Sequence, residues 1–199
     1  MKIGVFGGTF DPIHNGHIFL AETARKTLEL DEIMFIPAGL PWLKAGQNVT
    51  EACHRITMVK LAVNHRSYFS ISDIEIKREG PSYTADTLLE LKGARESETK
   101  LYLITGMDAI MDLRRWYRPK RVLNLCTVVT VTRPGFPEFS AKVLEQIKVG
   151  ASKTIIQMEA PLIDISGTQI RTRLSQGMSI SALVPKSVEN YIYSKKLYV

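Results

Sequence analysis

Short apolar runs rich in β-branched residues alternate with segments of helical spacing along the whole 199-residue chain. Such alternation is typical of α/β proteins, in which helices connect parallel strands and cover both faces of the sheet. The pattern predicts strands at Lys2–Phe6, Glu32–Ile36, Phe69–Ile76, Leu101–Thr105, Thr127–Thr132 and Thr154–Met158. It predicts helices at Ile18–Glu29, Ala52–Val63, Ala85–Leu91, Ala141–Ile147, Gln169–Leu174 and Val188–Ser194. We therefore expect an α/β fold with a doubly wound, mostly parallel sheet.

Nothing along the sequence suggests a boundary between domains, because no internal repeat, low-complexity block or long linker interrupts the pattern. We expect one domain over residues 1–199, with a C-terminal helical portion from about residue 166. No apolar run approaches the length that spans a bilayer, and no signal-peptide core forms near the N-terminus. The expected location is therefore the cytoplasm, without a membrane partner.

The charge balance favours anionic partners. The chain has 26 Lys and Arg against 20 Asp and Glu, a formal net charge of +6. Such a charge attracts nucleotides, nucleic acids or acidic surfaces without choosing among them. The most basic stretch, residues 114–121, has a solvated helix-and-turn surface as its ordinary interpretation. Cys53 and Cys126 lie far apart without a Cys-x-x-Cys partner, so we expect reduced, buried thiols rather than a zinc or redox site.

The segment Gly7–His17 joins the first predicted strand to the first predicted helix. Glycines at such a turn let the backbone approach a ligand, and the helix start offers N–H groups and the positive end of the helix dipole. His14 and His17 are three residues apart, so both imidazoles face the same side of the first helical turn. The segment is neither a Walker A loop nor a G-x-G-x-x-G fingerprint. It predicts a phosphate site with two imidazoles available for chemistry.

A second candidate phosphate site lies at Asp164–Arg171. Ser166 is a good N-cap residue, and Thr168 and Arg171 fall in the first turn of the helix that would follow it. Hydroxyl groups, backbone N–H groups and a guanidinium would then surround one anion. The residue types predict a second contact with phosphate.

These segments resemble the motifs of one family. His14–His17 matches the H-x-G-H signature of the nucleotidyltransferase superfamily, and residues 165–171 match its I-S-x-T-x-I-R pattern. Ser82–Leu88, residues 106–108 and Trp116 resemble the S-Y-T-x-D-T-L, G-x-D and W elements of bacterial nicotinate mononucleotide adenylyltransferases. The resemblance covers nearly the whole chain and implies a Rossmann-like nucleotidyltransferase fold. It also implies transfer of the adenylyl group of ATP to nicotinate mononucleotide, giving deamido-NAD and pyrophosphate in NAD biosynthesis.

The resemblance assigns residues to each substrate. The catalytic residues that it implies are His14, His17 and Arg171. The ATP-binding residues that it implies are Gly7, Gly8, Thr9, Phe10, His14, His17, Gly106, Asp108, Ser166, Thr168 and Arg171. The residues that it implies for nicotinate mononucleotide are Lys44, Tyr83, Thr84, Trp116 and Arg133. In this assignment Trp116 stacks on the pyridine ring, the helix start at Tyr83 and Thr84 holds its carboxylate, and Asp108 holds ribose hydroxyls.

One loop departs from the family pattern. The family often shows P-P-H-K after the second strand, whereas this chain has Pro41, Trp42, Leu43 and Lys44 and so keeps the lysine. The expected cofactor is Mg²⁺, which would arrive with ATP and be held mainly by phosphate oxygens and water. No carboxylate cluster in the sequence suggests metal ligands from the protein itself. The expected partners are ATP and nicotinate mononucleotide, without nucleic acid, and a homo-oligomer is left open.

Other functions fit part of the pattern. A related adenylyltransferase would accept nicotinamide mononucleotide or pantetheine phosphate, although the pantetheine-phosphate enzymes lack the combination of Ser-Tyr-Thr and Trp. A non-catalytic nucleotide- or RNA-binding module would use the basic stretch around Trp116, because phosphate neutralisation and aromatic stacking bind single strands. The basic residues do not recur on other elements, which favours the enzyme.

Overall fold

The computed structural model describes residues 1–42, 46–132, 154–159 and 163–199. Its strands are β1 (Lys2–Gly8), β2 (Glu32–Pro37), β3 (Phe69–Ile71), β4 (Lys100–Thr105), β5 (Thr127–Thr132) and β6 (Ile155–Glu159). Its helices are α1 (Asn15–Leu28), α2 (Ala52–Val63), α3 (Ile74–Lys77), α4 (Thr84–Gly93), α5 (Met107–Met111), α6 (Pro119–Leu125), α7 (Gly167–Ser175) and α8 (Lys186–Ser194). A 3-10 turn at Leu113–Arg115 joins α5 to α6.

The strands form one parallel sheet in the order β3-β2-β1-β4-β5-β6. Val5 of β1 pairs with Met34 of β2 on one side and with Leu103 of β4 on the other. The strand order reverses between β1 and β4, and a parallel sheet opens a crevice beyond the carboxyl ends of its strands at such a point. The predicted doubly wound α/β fold is confirmed, and the loop after β1 stands at this crevice.

Alternating side chains of the strands divide the core into two apolar clusters, one on each face of the sheet. On β2, Ile33 and Phe35 belong to one cluster, whereas Met34 and Ile36 belong to the other. Helices α1, α2, α7 and α8 cover the first face, and α4, α5 and α6 cover the second. Strands buried on both faces read as continuous apolar runs, which explains why these segments were visible in the sequence.

Two expectations need correction. The strand predicted at Phe69–Ile76 ends at Ile71, because the carbonyl of Asp73 accepts the N–H groups of Ile76 and Lys77 and so begins α3. β-branched residues favour strands only where neighbouring strands are present to pack against them, and here the turn at Asp73 prevails. The cysteines are both free thiols as expected, but Cys53 is exposed and only Cys126 is buried.

The remaining predicted elements lie within a few residues of the observed ones, and the helix predicted at Ala141–Ile147 lies outside the described residues. Helices α5 and α6 and the 3-10 turn were not predicted as elements. Within residues 114–121, Arg114, Arg115, Arg118 and Lys120 are exposed, as a solvated surface requires. In the described ranges no helix is both long and apolar enough to cross a membrane.

Candidate active site

The loop after β1 carries the two histidines at the start of α1. The rings of His14 and His17 stack with their centroids 3.6 Å apart. The backbone N–H of His14 donates to Nδ1 of His17 over 3.2 Å. Because Nδ1 accepts this bond, the neutral His17 ring is assigned its proton on Nε2. A Cβ added at Gly16 would lie 3.1 Å from Nδ1 of His14, so the glycine of the H-x-G-H motif makes room for the first histidine.

His14 is the more deeply placed of the two imidazoles, with 7% of its surface exposed. Its Nδ1 is buried and has no hydrogen-bond partner among the described residues. Burial lowers the pKa of His14 to about 4, because desolvation penalises the charged ring. His14 is therefore neutral near pH 7 and offers a phosphate a hydrogen bond rather than a full charge.

The start of α7 lies against the loop after β1. The hydroxyl of Ser166 accepts the N–H of Gln169 over 3.1 Å and caps the helix, as the sequence indicated. Arg171 donates from Nη1 to the main-chain oxygen of Asp11 over 2.7 Å and from Nη2 to the hydroxyl of Thr168 over 3.3 Å. A Cβ added at Gly167 would lie 2.9 Å from that same oxygen of Asp11. The two predicted phosphate segments are thus in direct contact.

A buried arginine links three loops at this end of the sheet. Arg55 on α2 is 1% exposed, and its guanidinium donates to the main-chain oxygens of Thr50 (2.7 Å), Thr9 (2.9 Å) and Gly39 (3.1 Å). Burial lowers its pKa, while the nearby Asp11 carboxylate opposes that shift. Arg55 therefore fixes the loop after β1 relative to the loop after β2 and to the start of α2.

The crevice between β1 and β4 contains a cavity of about 230 Å³. It brings together five of the predicted binding residues, namely Gly7, Gly8, Thr9, Thr84 and Trp116. Trp116 is half-buried, and its Nε1 is buried without a hydrogen-bond partner among the described residues. Backbone glycines, a helix start and an aromatic ring thus meet around one space, which suits a flat ring carrying polar groups.

Tyr83 takes a different position from Thr84. It is not among the residues that line the cavity, and its ring stacks on Tyr117 with centroids 4.3 Å apart. It also faces Trp42 at 5.9 Å. The structure places Tyr83 in an aromatic group beside the cavity, where its backbone forms the N-cap of α4.

A carboxyl group that the sequence did not single out lines the same cavity. Glu75 is 7% exposed and accepts the hydroxyl of Thr87 over 2.7 Å. Burial raises its pKa, against the effect of the Thr87 hydrogen bond and the charge of Arg78. Ser82 accepts the N–H groups of Gly39 and Leu40, so α4 is tied to the loop after β2.

Several predicted residues are not tested by this geometry. Lys44 and Arg133 lie outside the described residues, as does the side chain of Asp108.

Gly106 is the N-cap of α5 at the end of β4. Arg171 lies beside an open groove of about 720 Å³, which Thr50 and Tyr198 also line, rather than at the cavity near Trp116.

Comparison with known proteins identifies the family. A family model described as cytidylyltransferase-like matches residues 5–173. A Dehalococcoides mccartyi protein named "probable nicotinate-nucleotide adenylyltransferase" is 43% identical over 198 residues, covering 100% of this chain and 97% of its own. A Clostridium kluyveri protein of the same name is 42% identical over 202 residues, covering 100% of this chain and 99% of its own. The chain belongs to the nicotinate-nucleotide adenylyltransferase family.

The fold agrees with that family. A solved structure of Plasmodium falciparum nicotinic acid mononucleotide adenylyltransferase complexed with NaAD superposes with a TM-score of 0.80. It is 20% identical in sequence and covers 99% of this chain and 97% of its own. The six-stranded parallel sheet described above is therefore shared with a nicotinate-nucleotide adenylyltransferase.

Sequence reasoning missed Arg55 and Tyr198 in this member of the family. Arg55 stands where an apolar residue is expected, because Met58, Val59 and Ala62 follow it on the buried face of α2. A charged residue at such a position is rarely fully buried unless its polar atoms are paired, so the position was a signal. Tyr198 had no local signal, since its partner Asp11 is 187 positions away.

The described residues contain one group that could hold a metal ion, and it does not resemble a magnesium site. Glu51, Cys53 and His54 bring their ligand atoms within 4.8 Å of one another at the start of α2. Thiolate and imidazole ligands suit zinc, whereas Mg²⁺ prefers oxygen ligands. Nδ1 of His54 also lies 2.9 Å from the hydroxyl of Tyr191, which engages one of the three groups.

Proposed function

We propose that the crevice at the carboxyl ends of β1 and β4 transfers the adenylyl group of ATP to nicotinate mononucleotide. The products are deamido-NAD and pyrophosphate. The observation that best supports this proposal is the 2.7 Å contact between Arg171 and the main-chain oxygen of Asp11, because it joins the two segments predicted to bind phosphate. The first of these segments also lines the cavity near Trp116. Family membership supports the reaction, and the roles of the individual residues are part of the proposal.

The reaction needs positioning rather than a general base. An oxygen of the 5′-phosphate of nicotinate mononucleotide attacks the α-phosphorus of ATP, and the bond to the bridging oxygen of pyrophosphate breaks in line with it. A phosphate oxygen is already an anionic nucleophile, so no covalent intermediate is required. Catalysis then consists of aligning the two groups and stabilising the charge on the leaving pyrophosphate.

The ATP side uses three catalytic residues in this proposal. His17 donates from Nε2, neutral His14 donates from its ring, and Arg171 neutralises the departing β- and γ-phosphates. Gly7, Gly8, Thr9, Phe10, Gly106, Asp108, Ser166 and Thr168 complete the ATP site, with Asp108 on the ribose hydroxyls. The oxygen of the Ser166 hydroxyl accepts the N–H of Gln169 in the helix cap, and its O–H remains a donor for phosphate beside the backbone N–H groups of the helix start.

The acceptor side uses the cavity lined by Trp116. The indole stacks on the pyridine ring, and the backbone N–H groups at the start of α4 hold the nicotinate carboxylate. Tyr83 contributes its backbone at the helix start, while its ring stays stacked on Tyr117. Lys44 and Arg133 are proposed to bind the phosphate of nicotinate mononucleotide.

The metal ion is proposed to be Mg²⁺ that enters with ATP. Within the loop after β1 the carboxylate is that of Asp11, and both of its oxygens already accept hydrogen bonds from Thr50 and Tyr198. Phosphate oxygens and water are therefore the natural ligands, and the ion supplies charge neutralisation on the polyphosphate. We further propose that residues 1–199 form a single domain with a C-terminal helical portion from about residue 166. The protein is proposed to act in the cytoplasm, without a membrane or nucleic-acid partner.

A pyrophosphate-release assay tests this function. The protein is incubated with ATP, Mg²⁺ and, separately, nicotinate mononucleotide, nicotinamide mononucleotide or pantetheine phosphate. The expected result is release with the highest kcat/KM for nicotinate mononucleotide. His17→Ala should lower kcat by about 10²–10³, as loss of a transition-state donor does, which excludes a contaminating enzyme.

Four outcomes contradict the proposal in different ways. A higher kcat/KM with nicotinamide mononucleotide would reassign the acceptor, and turnover with pantetheine phosphate would reassign the enzyme. Salt-sensitive RNA binding without pyrophosphate release would support a non-catalytic module instead. Normal turnover by His17→Ala would remove the role assigned to that ring.

A further inference from the structure

The chain beyond α8 turns back toward the loop after β1. The N–H of Leu197 donates to the oxygen of Ile192 over 3.0 Å, and that of Lys196 donates to the oxygen of Tyr193 over 3.2 Å. Lys196 and Tyr198 have φ angles of 50° and 66°, in the left-handed region that residues with a Cβ rarely occupy. Leu197 and Tyr198 pack on the apolar cluster below. The turn is therefore held by specific contacts, and it directs Tyr198 inward.

The hydroxyl of Tyr198 reaches the buried carboxylate of Asp11. It donates to Oδ1 over 2.7 Å, while the N–H of Thr50 donates to Oδ2 over 3.3 Å. Asp11 is 5% exposed, so each of these bonds matters for satisfying a charge that has left water. Both carboxylate oxygens are thus fixed by groups distant in the sequence.

The same residue, Asp11, orients Arg171 through its backbone. Its main-chain oxygen accepts Nη1 of Arg171 over 2.7 Å, and α7 packs against the same oxygen at Gly167. Tyr198, Thr50 and Arg171 line one groove. A change in the orientation of Asp11 would therefore turn the guanidinium away from its present position.

We propose that Tyr198 is a positioning residue for Arg171, acting through Asp11, and that it thereby sets the affinity of the site for the polyphosphate of ATP. This inference rests on the proposed function, because it takes Arg171 as the residue that meets the β- and γ-phosphates. Tyr198 does not touch the reacting atoms in this scheme. Its removal should affect ATP and leave the binding of the acceptor unchanged.

The test compares Tyr198→Phe with Tyr193→Phe. The first variant removes one hydroxyl and keeps the ring that packs on the core, and the second removes the hydroxyl of a half-exposed tyrosine on α8. Tyr198→Phe should raise the Kd of MgATP, measured by titration calorimetry without acceptor, about 10-fold, because a displaced Arg171 loses part of its charge-assisted contact with the polyphosphate. The KM for nicotinate mononucleotide should stay within about twofold of the value for the unmodified protein. Tyr193→Phe should match the unmodified protein.

A double-mutant cycle separates positioning from general loss of stability. In an Arg171→Gln background, Tyr198→Phe should change the Kd of MgATP by less than about twofold, because the residue that it positions is already gone. An equal loss in both backgrounds would overturn the inference, as would an unchanged Kd in the single variant. If the unmodified protein binds MgATP but releases no pyrophosphate with any acceptor, the proposed function fails. The double-mutant cycle on the Kd of MgATP would then still test whether Tyr198 positions Arg171. Absence of MgATP binding by the unmodified protein would overturn both.

Discussion

The imidazole of His14 shows how burial sets the chemistry of a single residue. The ring lies at the N-cap of α1, stacked on His17 and inaccessible at Nδ1. Burial lowers its pKa to about 4, so the folded protein keeps the ring neutral at a pH where the unfolded chain would protonate it. In the proposed mechanism, His14 is thus a neutral donor to the phosphates and Arg171 a charged one.

The lowered pKa of His14 predicts acid lability. Between pH about 6.5 and about 4 the unfolded chain takes up a proton at this residue that the folded state does not, so the free energy of unfolding falls as the pH decreases. The loss should be on the order of 3 kcal/mol by pH 4, with no further contribution from this residue below that pH. Urea unfolding of the unmodified protein and of His14→Phe across this range measures it.

The comparison between the two proteins isolates His14, because the carboxyl groups that titrate in the same range are common to both. The free energy of unfolding of His14→Phe should fall less steeply between pH 6.5 and pH 4, because this variant lacks the imidazole whose pKa is about 6.5 in the unfolded chain and about 4 in the folded protein. His65→Gln, at an exposed histidine, should follow the unmodified protein. Parallel pH profiles for His14→Phe and the unmodified protein would show that the ring is not desolvated.

Arg55 illustrates the opposite case, a charge kept inside the protein. Its guanidinium donates three hydrogen bonds to main-chain oxygens, and no carboxylate of the described residues forms a salt bridge with it. Loop carbonyls near the sheet end would otherwise lose water without gaining a partner, which is costly. The side chain thus holds three loops together beside the site.

At the scale of secondary structure, the approach of α7 to the loop after β1 decides where Arg171 stands. The contact between Gly167 and the main-chain oxygen of Asp11 is too close for a side chain at the first position of the helix. Helix propensity alone favours alanine over glycine in a helix by about 1 kcal/mol. Tertiary packing therefore outweighs local preference at this residue.

Gly167→Ala should be destabilising for this reason. A Cβ 2.9 Å from backbone must displace α7 or the loop, which we expect to cost about 1–3 kcal/mol and to weaken MgATP binding. Gly93→Ala is the matched control, because it also lies in a helix and has no atom within 4 Å of the added Cβ. It should be neutral or stabilising by up to about 1 kcal/mol. The midpoints of urea unfolding of the two variants measure this difference. Equal effects of the two variants would refute the steric argument.

At the scale of the whole molecule, one sheet carries both apolar clusters. Phe35 and Leu103 are buried on opposite faces, and each packs on strands that also contribute to the other cluster. Loss of packing on one face therefore weakens the strands that the other face needs. We infer that the described elements unfold together.

Phe35→Ala and Leu103→Ala test this cooperativity. Each should lower the free energy of unfolding by about 2–5 kcal/mol, as large-to-small changes in a core do. Far-UV circular dichroism and tryptophan fluorescence should give one coincident transition in both variants. The tryptophans Trp42 and Trp116 lie beside the crevice cavity, so they report on that side of the molecule even when Phe35 on the other face is changed. Separate transitions in either variant would contradict a single cooperative unit.

Most of the secondary structure could be predicted because its causes are local. Helix α2 was predicted at the residues where it occurs, and β5 likewise, since periodic burial leaves its mark within a single segment. Helix α3 was missed because Ile74 and Ile76 have the composition of a strand, and only the hydrogen bonds to the Asp73 carbonyl reveal the turn. The motifs around His14 and Ser166 were equally local, and the sequence alone was sufficient to predict phosphate binding there.

The sequence by itself determined that this chain is an α/β protein and predicted two phosphate-binding motifs, because spacing and residue type within about ten positions were sufficient for both. The tertiary structure decided the strand order, the meeting of Arg171 with Asp11, and the burial that keeps His14 neutral. It also placed Tyr83 beside the cavity rather than in it, and revealed Arg55 and Tyr198. The contact of Arg55 with Thr9 spans 46 positions of the chain, and that of Tyr198 with Asp11 spans 187. Such contacts depend on how the helices pack against the sheet, and no local pattern records that packing.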